Sequence, residues 1–135
     1  MSEQVISIVA ALIRDEAGRV LLVRKRGTVA FMQPGGKRDR GEDDATALAR
    51  ELDEELGCEV VPGSLRPLGQ FVAPSANEPG FQVRASVYAV NVQGIVAARA
   101  EIEEIAWIDP MQTEGLTLAP LTRDHVLPLV FSQVN

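Results

Sequence analysis

Apolar residues follow two different periods along this chain. Val5 to Arg14 is an almost unbroken run of Val, Ile, Ala and Leu, the composition of a buried strand. Asp15 to Arg19 has turn chemistry and Val20 to Arg24 is a second apolar run, so the pair is expected to form a hairpin. Gly27 to Pro34 reads as a loop entering Pro34-Gly35-Gly36-Lys37. The period then changes. Ala45, Leu48, Ala49, Leu52 and Leu56 recur at i, i+3, i+4, i+7 and i+11, one stripe of a helix. Asp43 or Asp44 suits its N-cap, and Gly57 its left-handed end. A turn is expected from Val60 to Gly63, a strand from Leu65 to Val72, and a loop from Ala73 to Gly80, eight turn formers in a row. Phe81 to Val90 alternates as a strand, with Phe81, Val83, Ala85, Val87 and Ala89 on one face. Val92 to Ala98 is irregular or a short strand end. Pro120 to Phe131 carries Leu121, Val126, Leu129 and Val130 near helical spacing, a closing helix that accommodates Pro128 only by bending or ending early. This order suits an α/β chain in which a mixed β-sheet packs between helices, an α/β/α sandwich, as one domain over residues 1–135.

The helix also carries Glu51, Glu54 and Glu55. At about 100° per residue they project within a sector roughly 100° wide, beside the apolar stripe. Like charges at this spacing repel by about a few tenths of a kcal/mol per pair. A divalent cation reverses that sign, and hard oxygens on one helical face suit Mg²⁺ or Mn²⁺. The other reading of an acidic cluster is a solvated face.

The spacing favours the first. Gly36, five residues, Glu42, seven residues, then Arg50-Glu51-Leu52-x-Glu54-Glu55-x-Gly57-Cys58 resembles the Nudix box, G-x5-E-x7-R-E-U-x-E-E-x-G-U with U a bulky aliphatic. At ordinary residue usage, seven such matches arise by chance in about one window in 10⁸. The departure is Cys58 at the final U. The resemblance implies the Nudix fold and hydrolysis of a nucleoside diphosphate linked to another moiety. It implies a metal site of Mg²⁺, with Mn²⁺ as a substitute, formed by Glu51, Glu54 and Glu55 with the Gly35 carbonyl. Glu54 and Glu55 are then ligands, Glu51 is ligand or base, Arg50 orients a glutamate and Glu42 braces the loop from outside. Which glutamate is the base stays open. Glu101, at the head of an E-x5-W stretch ending at Trp107, either returns to the metal cluster or is a loop carboxylate. Arg24, in Arg24-Lys25-Arg26, either meets a substrate phosphate or flanks a loop in solvent. Phe31 faces the substrate base or packs, Arg84 reaches a phosphate or solvent, and His125 is a surface or packing residue.

Net charge is −6 and the pI about 4.8. That balance disfavours a nucleic-acid polymer or an anionic membrane as partner and leaves a small nucleotide held through metal. The apolar run Val5 to Ile13 is too short for a membrane span, and the lone Cys58 allows no internal disulfide, so a cytoplasmic location is expected. A monomer and a homodimer are both compatible with the sequence. The compact size favours a nucleoside triphosphate or modified nucleotide. The alternatives are ADP-ribose, for which a proline at the place of Pro74 is a mark among relatives, a dinucleoside polyphosphate, or a nucleotide sensor without catalysis.

Overall fold

The computed structural model describes residues 4–132. The strands are β1 (Gln4–Leu12), β2 (Val20–Lys25), β3 (Gly35–Gly36), β4 (Glu59–Val60), β5 (Arg66–Pro74), β6 (Phe81–Ala89), β7 (Val92–Gln93) and β8 (Ile102–Ile108). Helix α1 (Asp44–Leu56) follows β3, and α2 (Leu127–Ser132) closes the described chain. Four strands form one sheet in the order β3-β1-β6-β5, β2 pairs with β8, and β4 with β7. β1 and β6 run parallel while their other neighbours run antiparallel, so the sheet is mixed. Among the described residues no helix is long and apolar enough to cross a membrane.

The alternation of a strand assigns its side chains to two faces. Ala10 and Leu12 of β1 and Leu22 of β2 join Val126, Leu127 and Val130 in one core cluster. Val9, Ala11, Leu21 and Val23 join Ala47, Leu48, Leu52 and Leu56 in the other. The strands therefore lie between α1 and the C-terminal helix, the expected α/β/α sandwich.

The expected hairpin of the first two strands exists only at its base. Arg14 bridges Val20, and the Leu21 N–H donates to the Ile13 carbonyl at 2.9 Å. Beyond that the strands part, β1 to β6 and β2 to β8. A period of two fixes which face is apolar and says nothing about which strand lies alongside. Short strands β4 and β7 pair, β4 beginning just ahead of the expected turn and β7 as the short strand end expected as one alternative from Val92.

Helix α1 has its expected ends. The Asp43 side chain accepts from the Thr46 N–H at 2.8 Å, and Gly57 is left-handed at φ 72°. Its buried face is rotated from the expected one. Ala45 and Ala49 are exposed, whereas Ala47, Leu48, Leu52, Glu55 and Leu56 are buried. At about 100° per residue Glu55 falls at the middle of that face.

Pro128 does not end the closing helix. The turn Thr122–Val126 widens to π geometry, the Leu127 N–H donating to the Thr122 carbonyl five residues back, and the helix continues to Ser132. The wide turn makes room ahead of a residue that has no N–H and a bulky ring.

Leu52 is fully buried between α1 and the strands. Leu52→Ala should cost about 2–5 kcal/mol of stability, seen as a lower urea midpoint with an unchanged slope.

Candidate active site

Glycines let the acidic face of α1 sit against the sheet. Gly35 has φ 147°, and a Cβ there would overlap the Val9 carbonyl oxygen of the adjoining strand. A Cβ on Gly36 would lie 2.6 Å from the Glu51 carboxyl. Both positions need the absence of a side chain.

The Glu55 carboxylate enters the space this leaves. It is 2% exposed and accepts from the Gly35 N–H at 3.0 Å. Burial pushes its pKa up to about 8, the Gly35 N–H opposes the shift and the neighbouring Glu51 charge adds to it. Glu51 is also shifted up by burial, against the pull of Arg50. Its Oε2 accepts from Arg50 Nη1 at 3.2 Å.

Arg50 is the hub beside these acids. Its Nε and Nη2 donate to the two Glu42 oxygens at 2.7 and 2.8 Å, and Nη2 also donates to the Lys37 carbonyl at 3.0 Å. Glu42 in turn accepts from the Asp39 N–H at 2.6 Å. This fork clamps the loop before α1 to the helix itself. Arg50 first, then the Asp39 N–H, hold the Glu42 carboxyl down at about 2.

Glu51, Glu55, Gly35 and Glu101 line one cavity of about 360 Å³, together with Lys25. Glu101 is exposed and its carboxylate lies 3.6 Å from the Lys25 ammonium. Glu54 is 59% exposed, outside the lining, with Arg50 Nη1 at 3.9 Å. The wall also includes the apolar Ile6, Ile8, Val83 and Leu121, and the polar Lys37 and Asn77. The loop from Pro74 to Glu78 forms another side.

Three residues expected near substrate lie outside the lining. Arg24 donates to Glu104 at 3.1 and 3.0 Å and to the Thr28 carbonyl at 2.8 Å. The β2–β8 register shifts between Arg24 and Lys25; Lys25, not Arg24, lines the cavity, as does Lys37. Irregular pairing of this kind re-aims side chains, and three consecutive basic residues gave no sign of which one turns inward. Phe31 packs in the core beside Leu121 and bridges Leu118. Arg84 is exposed on β6, on the face opposite Val83, which lines the cavity. His125 stacks on Phe71 with centroids 5.5 Å apart, a packing role. Gln33 and Thr122 also line the cavity; neither carries a motif that sequence could flag.

The sequence model of the NUDIX domain matches residues 5–130. The chain belongs to the Nudix family. An 8-oxo-dGTP diphosphatase of Haemophilus influenzae is 37% identical over 79 residues, a match that spans 56% of this chain and 58% of that relative. The MutT protein of Methanosarcina mazei Go1 superposes with a TM-score of 0.76 at 27% identity, over 98% of this chain and 96% of that one. A MutT Nudix hydrolase of Burkholderia pseudomallei shares the fold at TM-score 0.74 and 24% identity, covering 98% and 100% of the two chains.

The Nudix resemblance implies a divalent ion, and the donor chemistry fits one. Glu55 is a buried carboxylate with one N–H partner, and Glu51 lies close enough to raise its pKa. A hard cation would relieve both the desolvation and the repulsion. Among the described residues no three acid, imidazole or thiol groups are already gathered around one point. Glu51, Glu54 and Glu101 instead face Arg50 or Lys25, which occupy part of the charge demand.

A carboxyl at about 8 in the folded chain, against an ordinary 4.5, keeps a proton that the unfolded chain loses. Its contribution to stability is full below about pH 4.5 and is lost as pH rises towards about 8. In chelator, Glu55→Gln should melt higher than the parent at about pH 8 and match it near pH 4.5. The gap should be of the order of a few kcal/mol, at about 1.4 kcal/mol per pKa unit. Melting curves that stay parallel across this range would mean that Glu55 is ionised throughout.

Proposed function

We propose that this Nudix hydrolase is a Mg²⁺-dependent nucleotide pyrophosphohydrolase, with Mn²⁺ as a substitute, acting on a nucleoside triphosphate or modified nucleotide. The observation that carries this reading is a cavity that gathers Glu51, Glu55, Glu101 and Lys25 and whose wall also includes the apolar Ile6, Ile8, Val83 and Leu121. Such a mixture suits a ligand with a polyphosphate at one end and a ring at the other. The named activity of the Haemophilus relative is of this class.

In this reading Glu54, Glu55, Glu101 and the Gly35 carbonyl would hold the ion, with Glu51 either a further ligand or the base. A bound divalent cation supplies polarisation of the phosphoryl oxygen and a more acidic water. Lys25 pairs with a phosphate oxygen, releasing Glu101 from its present partner. Arg50 and Glu42 keep the helix and the loop in register, so that Glu51 stays against Gly36. One glutamate free of the ion takes the water proton. The partner is a small nucleotide rather than a nucleic-acid polymer or a membrane, in a cytoplasmic protein that is a monomer or homodimer. The placement of Pro74 in the cavity wall favours ADP-ribose as the second reading.

A panel of dNTPs, 8-oxo-dGTP, ADP-ribose and dinucleoside polyphosphates, incubated with Mg²⁺ or Mn²⁺ in ¹⁸O-water, tests both readings and shows which phosphorus is attacked. Hydrolysis of none, with nucleotide binding retained by calorimetry, would make the protein a sensor. Glu51→Gln and Glu54→Gln should each lower kcat by about 10²–10⁴-fold. The variant that loses turnover while keeping Mn²⁺ affinity identifies the base, and near-parent turnover removes that residue from the mechanism.

A further inference from the structure

Gln33 stands out in the cavity wall. It is 6% exposed and its Oε1 accepts from Thr122 Oγ1 at 2.8 Å. Thr122 is fully buried at the first position of the π turn. The Gln33 Nε2 is the one buried side-chain nitrogen or oxygen without a partner among the described residues. A leucine or methionine would fill this place without that cost. Conflicts of this kind between a residue and its surroundings concentrate at functional sites.

Here the Thr122 hydroxyl donates to the amide rather than accepting from it. With Oε1 already taken, Nε2 is left as a donor. The terminal torsion of glutamine is broad, so Nε2 can swing slightly towards a ligand with the Thr122 bond kept. The cavity around it is apolar at Ala119, Leu121 and Ile8, away from the acids. A ring placed beside Gln33 would meet a free donor, which suits an acceptor on the ring.

We propose that Gln33 selects the nucleobase, its Nε2 donating to a keto oxygen at purine C6 or pyrimidine C4, with Thr122 as the residue that positions the amide. An amino group at the same place sets donor against donor. The proposal rests on the pyrophosphohydrolase reading, and its test separates the two.

dITP and dATP differ at C6 by oxygen against amino nitrogen, and dUTP and dCTP differ likewise at C4. The parent protein should favour the keto member of each pair by about tenfold or more in kcat/KM, chiefly through KM. Gln33→Leu should bring each ratio to about one by weakening the keto member. Its melting temperature should change little, since one unpaired buried donor goes while the buried Thr122 hydroxyl loses its partner. Thr122→Val should reduce the ratio too, because the amide is then free to present its oxygen. If neither nucleotide is cleaved, the hydrolase reading fails, and calorimetry still decides on Gln33. IMP should then bind about tenfold tighter than AMP in the parent and equally in Gln33→Leu. Equal affinities in the parent, or a ratio untouched by Gln33→Leu, would overturn the proposal.

Discussion

The structure depends on a carboxylate held where a leucine would otherwise go. Glu55 lies at the centre of the buried face of α1, against the backbone of β3. A charge there costs free energy unless something meets it. The chain meets it partly with the Gly35 N–H, and the remainder is a standing demand for positive charge. Other local features follow from this placement. Gly35 lets the backbone approach β1, Gly36 leaves room for Glu51, and the Arg50–Glu42 fork holds the approaching loop.

The core serves the same end. Leu48, Leu52 and Leu56 anchor α1 on Val9, Ala11 and Val23, which fixes how far the glutamates stand from the glycine turn. The second cluster anchors the C-terminal helix and so places Leu121 and Thr122 at the other side of the cavity. The site lies between two independently packed layers, and each layer supplies one kind of chemistry.

The fold class, the ends of α1 and the family were legible in the sequence, because Asp43, Gly57 and the Gly36-to-Cys58 spacing are local signals. The hairpin of β1 and β2 was not, since edge pairing is decided by partners far along the chain. The buried face of α1 was read from its leucines and alanines alone, so Glu55 was placed beside the core rather than within it. Arg24 and Lys25 could not be told apart because a one-residue irregularity in pairing decides between them. Gln33 is visible only through what it lacks, and a missing hydrogen bond leaves no trace in a sequence.

The parallel ladder between β1 and β6 joins Gln4 to Phe81 and Leu12 to Ala89. During synthesis β1 is made long before β6, its parallel neighbour. Closing so long a loop is entropically slow compared with helix formation. One edge of β1 therefore stays unpaired until β6 has been made, an open template for mispairing with another chain.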